Sequence, residues 1–265
     1  YYPLACLLTP DVPVNEGCFE PISVRAPEGT IINATFPISV GSRTNTGWYI
    51  HGCIFGALAK ALPDRIQSGN GLMSSIRTYG TEADGRIFNA HLFVGGGRGA
   101  TSQGDGMGQN MFPSSASNVP VEVFELNSPT LIVAKELITD SAGAGRHRGA
   151  PAQRVIVGKL PSHPDPLNIY FHPNRLSFAP LGIFDGHPGT KTEVIHNGDV
   201  LSDDPSSMTN GYVTLENSDD RLILEFPSGA GVGDPTGRPS ELVDRDVKNG
   251  LVSEESAKSK YGHDD

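Results

Sequence analysis

Five consecutive residues constrain this chain more than any others: Gly95-Gly96-Gly97-Arg98-Gly99, set between the apolar run His91-Leu-Phe-Val94 and the aliphatic segment Val119 to Leu126. Glycine at that density belongs where φ turns positive or where backbone must come close to something, because a Cβ would stand in the way. What is approached is a ligand, an oxyanion or a neighbouring strand, and the sequence leaves all three open. A second loop of the same character, Asp140-Ser-Ala-Gly143-Ala-Gly145-Arg-His-Arg-Gly149, follows the next apolar strand, so the two read as one rim. Arg98, Arg146, His147 and Arg148 place basic groups beside this backbone, a combination suited to an anionic substrate group. The alternative, equally open, is that the arginines bridge the loops to Asp105 and Asp140. On the first reading the substrate-binding candidates are Gly96, Gly97, Arg98, Asp105, Asn118 and Arg146, expected at one cleft; no motif names catalytic residues.

Around the rim the sequence is organised for short strands. The 32 glycines and 21 prolines, with 19% charged residues, favour many turns over a helical bundle. Strands are expected at Ile76–Gly80, Ile87–Val94, Val119–Leu126, Leu131–Leu137, Arg154–Lys159, Leu167–Phe171, Lys191–Ile195, Tyr212–Glu216 and Arg221–Phe226, with shorter extended pieces ending at Val24 and over Ile31–Val40. Apolar residues at Trp48, Ile50, Ile54, Phe55, Leu58 and Leu62 give a helical period that Pro63 ends, with an N-cap among Thr44, Asn45 and Thr46. Its near-continuous apolarity predicts a buried helix. Trp48, Tyr49 and His51 form either core or a ligand-stacking cluster. Pro239 and Ser253 open two helices, making 237–265 a helical C-terminal segment. No βαβ alternation occurs, so the expected fold class is α+β, a β-rich body of short strands with one buried helix and C-terminal helices. Tyr1–Leu8, apolar almost throughout, reads as a strand or helix end forming an edge that another chain covers.

Several classes of function drop out. The formal charge of −10 argues against nucleic acid or an anionic membrane as partner. No apolar run reaches the ~18 residues a membrane span needs, and the first residues of this sequence lack a basic n-region with an apolar h-region, so a cytoplasmic location is expected. Cys6, Cys18 and Cys53 show no CxxC spacing and read as reduced thiols. The sequence has no G-x-S-x-G elbow and no HExxH; Gly95-x-Gly97-x-x-Ala100 lies between strands without the following helix a dinucleotide fingerprint needs, and the histidines are not at ligand spacing.

A set of blocks in order does carry a resemblance. Asp11-Val-Pro-Val-Asn-Glu-Gly-Cys18, Ala26-Pro-Glu-Gly29, Phe55-Gly-Ala-Leu-Ala-Lys-Ala-Leu-Pro63, Gly95-Gly-Gly-x-Gly-Ala100, Asp105-Gly106, Asn118-x-Pro-Val-Glu122, Asp140-Ser-x-Gly-x-Gly-Arg-x-Arg-Gly149, Gly233-Asp-Pro235 and Val243-x-Arg-Asp-Val are similar to the hydantoinase B/oxoprolinase family. Residues 1–265 resemble the C-terminal half of the usual family chain. Two places depart from it: Gly47-Trp48-Tyr49 and Gly52 stand where many members carry Ser-Gln-Arg and Asp, and Ala179-Pro-Leu-Gly182 stands for a Pro-Pro-x-Gly corner. The resemblance implies a subunit of an ATP-dependent complex that hydrolyses a cyclic amide of the hydantoin or oxoproline type. Its alternatives are a subunit of an ATP-dependent ketone carboxylase and a non-catalytic scaffold half of such a complex. It further implies ATP and Mg2+ held mainly by a hydantoinase A-type partner subunit, and an N-terminal half of the hydantoinase B type that carries the divalent-metal ligands in members having them. The shared chemistry is phosphorylation of an amide or enolate oxygen, for which a rim of backbone N–H groups and arginines would hold developing anionic charge.

Overall fold

A computed structural model describes residues 1–41, 43–82, 84–114, 116, 118–204 and 211–263 of this chain. These residues form two compact units, Tyr1–Ile66 and Gln67–Asp265.

The first unit holds helix α1 (Tyr2–Leu8), a 3-10 turn (Glu16–Cys18) whose Asn15 side chain caps Gly17, and helix α2 (Arg43–Leu58). Tyr1–Leu8 is therefore helical and not an edge strand. Neither the piece ending at Val24 nor Ile31–Val40 pairs as a strand; turns and one isolated Thr30–Asn33 bridge take their place. An extended segment of this length needs a paired neighbour, and among the described residues of the unit no sheet offers one. Helix α2 begins before Thr44–Thr46 and ends four residues ahead of Leu62, where tighter turns from Gly56 and Leu58 lead into Pro63. The expectation of a buried helix is corrected here: none of the residues of α2 is buried, and Trp48 is only partly covered. Apolar exposure runs through the unit, reaching 98% at Phe36 and 82% at Ile31.

The second unit is a sandwich of two antiparallel sheets. One has the order β2-β1-β5-β8, built from β1 (Met73–Thr81), β2 (Ile87–Gly95), β5 (Leu167–Phe171) and β8 (Tyr212–Leu215). The other has the order β3-β4-β9-β6-β7, from β3 (Thr130–Leu137), β4 (Gln153–Lys159), β6 (Glu193–His196), β7 (Asp199–Val200) and β9 (Leu222–Phe226). Period-2 alternation puts one side of each strand inside. Register then lines up Leu92, Ile76 and Phe171 across the first sheet, and Val155, Leu224 and Val194 across the second, and all six belong to one hydrophobic cluster. Two antiparallel sheets with helices at the margins bear out the α+β expectation. Among the described residues no helix is long and apolar enough to cross a membrane.

Val119–Leu126 is not a strand. Residues 121–126 form the short helix α3 (Val121–Leu126), which drives Phe124 into the sandwich core while Leu126 stays exposed. Only one side chain of the segment is buried, and a half-buried strand would need every second one. The Glu125 carboxylate accepts from the Ile132 N–H at 2.7 Å, tying α3 to β3. The chain ends in α4 (Ser240–Lys248) and α5 (Glu254–Tyr261), the latter capped by the Ser253 hydroxyl and closed by Gly262 at φ 63°.

At one end of the sandwich, four backbone segments pass one another with no side chains between them. Gly71 donates to Gly97, Gly97 to Pro227, Gly229 to Ala150, Ala150 to Arg98 and Gly143 to Gly229, all at 2.8–2.9 Å. A Cβ at Gly149 would lie inside contact distance of the Gly229 carbonyl, and one at Gly229 would strike the Arg98 carbonyl. Gly104, by contrast, has open space where a Cβ would sit. Gly149→Ala is therefore expected to cost about 1–3 kcal/mol or more by overpacking backbone against backbone, whereas Gly104→Ala should be near neutral. Denaturant unfolding of both variants checks this, and equal midpoints would contradict it.

Candidate functional site

The candidate rim is built from Gly95–Ala100, the 105–114 loop and the 140–149 loop. Its backbone donors are already committed. The N–H of Gly96 is bonded to Leu72 O at 2.8 Å, that of Gly97 to Pro227 O at 2.8 Å, that of Arg98 to Met107 O at 3.3 Å and that of Ala100 to Ala230 O at 3.0 Å. The Gly99 N–H goes to the Asn70 side-chain oxygen at 2.9 Å. This stretch accordingly offers no free N–H for a phosphate or an oxyanion, and its glycines serve close packing. Of the approached partners left open by the sequence, neighbouring backbone is the one found.

Arg98 lies with its guanidinium 5.4 Å from the Phe112 ring centre and Nη1 3.7 Å from Met107 Sδ. Asn118 donates from Nδ2 to Gln109 O at 3.0 Å, so both residues bear on the same 105–114 loop. Arg146 is exposed, and among the described residues neither Arg98 nor Arg146 has a carboxylate partner. Asp105 differs from both, because it is the outer member of a buried ion-pair chain.

That chain runs Asp105, Arg238, Asp246, Arg148. Arg238 reaches Asp105 with two parallel bonds, Nη1 to Oδ1 at 2.7 Å and Nη2 to Oδ2 at 2.8 Å, and its Nη2 also donates to Asp246 Oδ2 at 2.7 Å. Arg148 closes on Asp246 with Nε to Oδ2 at 2.7 Å and Nη2 to Oδ1 at 2.9 Å, and its own N–H donates to Asp105 Oδ1 at 3.0 Å. The Arg238 and Asp246 side chains are 0% and 1% exposed. Arg238 Nη1 further bonds the Arg146 carbonyl at 3.1 Å, so Asp105 and the backbone of Arg146 are drawn together through it. Two-pronged guanidinium–carboxylate bonds fix orientation as well as charge. Of the loop arginines, Arg148 does bridge to a carboxylate, though to Asp246. Asp140 is held instead by the Ser253 N–H at 2.8 Å.

Arg238 and Asp246 escaped the sequence reading because each lies far along the chain from the loop it holds. One signal was present. Helix α4 carries Asp246 on the same stripe as Val243 and Val247, and a carboxylate on an apolar stripe needs a buried cation. Val243 packs with Val252, Ala257, Tyr261 and Ala144 of the second glycine loop, so α4 and α5 clamp that loop from outside. Among the described residues no group of three or more His, Cys, Asp or Glu side chains could hold a metal ion.

The electrostatics follow from the chain of pairs. Burial by itself would raise the Asp105 carboxyl, but the Arg238 bonds and charge, with Arg148 behind them, hold it below the ordinary carboxylate value. Burial pushes the Tyr261 phenol, beside Arg238, up to about 12. A carboxyl whose pKa is depressed on folding contributes stability above its unfolded value and loses it as pH falls through the folded one. Asp105 thus protects the fold near neutrality, and that protection disappears below about pH 4. Asp105→Asn is expected to flatten the acid limb of a stability–pH curve, read by thermal melts between neutral pH and acid. Asp246→Asn leaves two buried guanidinium groups short of a partner and should cost about 3–5 kcal/mol.

With this geometry in view, comparison with known proteins places the chain. The family model for Hydantoinase B/oxoprolinase matches residues 1–235. An uncharacterized protein of Methanocaldococcus jannaschii is 31% identical over 265 residues, covering 98% of this chain and 45% of its own length. The caprolactamase subunit beta of Pseudomonas jessenii is 30% identical over 267 residues, covering 94% of this chain and 44% of its own. The crystal structure of the ATP-dependent caprolactamase from Pseudomonas jessenii superposes with a TM-score of 0.79 at 25% identity, over 98% of this chain and 46% of that one. The chain spans about half the length of these relatives. On the family match over residues 1–235, the chain belongs to the hydantoinase B/oxoprolinase family.

Proposed function

We propose that this chain is part of an ATP-dependent complex that opens a cyclic amide. The observation carrying this reading is its similarity, over nearly its whole length, to the beta subunit of a caprolactamase, an enzyme whose solved structure is described as ATP-dependent. The substrate class then follows from the bond to be broken. A lactam carbonyl is a poor electrophile, and ATP supplies the activation needed to open it.

In our reading ATP and Mg2+ are held by a partner subunit of the hydantoinase A type. The committed donors of residues 96–100 support this, since they leave no phosphate cradle in the glycine stretch. What the chain contributes is cationic side chains on a stiff base. Arg98 and Arg146 face the anionic group that forms during reaction, Asn118 fixes the loop beside Arg98, and Asp105, through Arg238, sets the position of Arg146. Gly96 and Gly97 let the segment that carries Arg98 lie flat against Gly71 and Gly229. A guanidinium placed in advance against developing negative charge needs no reorganisation at the moment of reaction.

The test is ATP turnover by the assembled complex in the presence of caprolactam, a hydantoin or 5-oxoproline, set against a ketone with bicarbonate. Stimulation by a cyclic amide with ring opening is expected; stimulation by the ketone pair alone would overturn the reading. Arg98→Ala should lower turnover about tenfold or more, the worth of one charge-assisted contact, with an unchanged melting temperature. A lower melting temperature with full activity per folded molecule would make Arg98 purely structural.

We further propose that the apolar surface of residues 1–50 is covered by the remaining part of a hydantoinase B-type subunit. Tyr2, Leu8, Ile31, Phe36 and Ile50 are all exposed, a large amount of apolar surface for a free-standing unit of this size. Expressed alone, the chain should bind a hydrophobic dye strongly and self-associate, and co-expression with that part should abolish both. A monodisperse, dye-silent chain on its own would contradict this.

A further inference from the structure

The outer face of the β2-β1-β5-β8 sheet carries a second, separate constellation. Register places His91, Arg77, Tyr170 and Tyr212 in one row across all four strands. Tyr79 stacks on Tyr170 with ring centres 5.1 Å apart and planes at 18°, and Tyr212 lies 4.8 Å beyond Tyr170. Their hydroxyls are tied down, Tyr170 to Tyr79 at 3.0 Å and Tyr212 to the Asn168 side-chain oxygen at 2.8 Å, so the rings are held while Tyr79 and Tyr212 remain about half exposed. Together with Arg77, His172 and Gly211 they line a cavity of about 610 Å3.

The charge of this face departs from that of the chain. Although Asp and Glu number 30 in the sequence, none of the four strands contains either, whereas three strands of the opposite sheet carry a glutamate and β7 an aspartate. Arg77 has no ion pair or hydrogen bond from its guanidinium among the described residues. Burial holds the His91 ring below its ordinary value, and the Arg77 charge acts in the same direction. The Tyr170 phenol, pushed up to about 12 mainly by its bond to Tyr79, stays neutral and does not offset that charge.

We propose that this cavity binds a small aromatic anion, its ring packing against the Tyr79–Tyr170 stack and the tilted Tyr212 ring, and its carboxylate or phosphate meeting Arg77 and His172. Aromatic walls supply area and orientation, and a lone guanidinium beside them supplies a two-pronged partner for a planar or tetrahedral anion. None of these residues belongs to the rim or its ion-pair chain, so the proposal stands apart from the lactam-opening reading and is tested by binding alone.

Isothermal titration of the chain co-expressed with the rest of its subunit, using phenyl phosphate and benzoate, each compared with inorganic phosphate and with phenol, measures the two halves of the site. At least one aromatic anion is expected to bind ten or more times tighter than either half. Arg77→Gln should bring it down to the level of phenol, and Tyr212→Ser should weaken it several-fold. The same anion should shift the Tyr170 ring signals in the NMR spectrum of the wild-type protein. Failure of both aromatic anions, unchanged affinity in Arg77→Gln, or binding of an acidic peptide where neither anion binds would each overturn the proposal. Arg77 is exposed, so a thermal melt matching wild type is expected and verifies that the variant's loss is one of binding.

Discussion

Backbone passing backbone at van der Waals distance is the constraint on which the second unit depends. Gly97, Gly149 and Gly229 lie where adjoining carbonyls occupy the space of a Cβ, and each pass is sealed by hydrogen bonds such as Gly229 to Ala150 and Ala150 to Arg98. Buried peptide groups must find partners, and here they find one another across segments that are distant in sequence. The result is a stiff end to the sandwich in which loops, and not strands, supply the order. Loops made rigid in this way can carry side chains such as Arg98 in fixed positions.

Loops without side chains between them gain little from hydrophobic burial, so something else must keep them shut. The ion-pair chain from Asp105 to Arg148 does this from outside the glycine layer. Its partners come from three places in the sequence, and α4 supplies Asp246 while the stretch before it supplies Arg238. Buried charges are costly to desolvate, and alternating signs with two-pronged bonds offset that cost without yielding much net stability. Their value is in fixing one arrangement: the pairing works only when both loops and the C-terminal helices are in place together. Ser253, bonded to Asp140, and Tyr261, packed beside Arg238, extend the same clamp.

The two units solve the problem of burial differently. The sandwich encloses Phe124, Phe171 and Phe226 completely, whereas the first unit leaves most of its large apolar side chains in solvent. A helix such as α2, apolar on most sides and buried on none, is stable only when neighbours cover it. That difference separates a body with its own buried core from a unit that, on the reading proposed above, a further part of the subunit covers.

Much of this was legible in the residues. Alternation located nearly all the strands, the Pro239 and Ser253 signals located the last two helices, and the ordered blocks from Asp11 to Val247 identified the family. These succeed because period, caps and turns are local, and a local pattern survives in a linear text. The glycine rim was legible as a place of close approach, but not what approaches it, since the Leu72, Pro227 and Ala230 carbonyls that take its donors come from other parts of the chain. Val119–Leu126 was misread for a related reason: its pattern permits a strand, and only the absence of a paired neighbour and the single buried Phe124 make it a helix. Helix α2 was placed within a few residues, yet its burial is a property of surroundings that its own sequence does not contain. The sequence by itself determined the elements, the glycine loops and the lineage. The tertiary structure alone decided that Asp105 belongs to a buried chain with Arg238 and Asp246, and that Arg77 lies beside a row of tyrosines with no carboxylate partner among the described residues, because pairing between charges is settled by distance in space and the chain fixes distance only along itself.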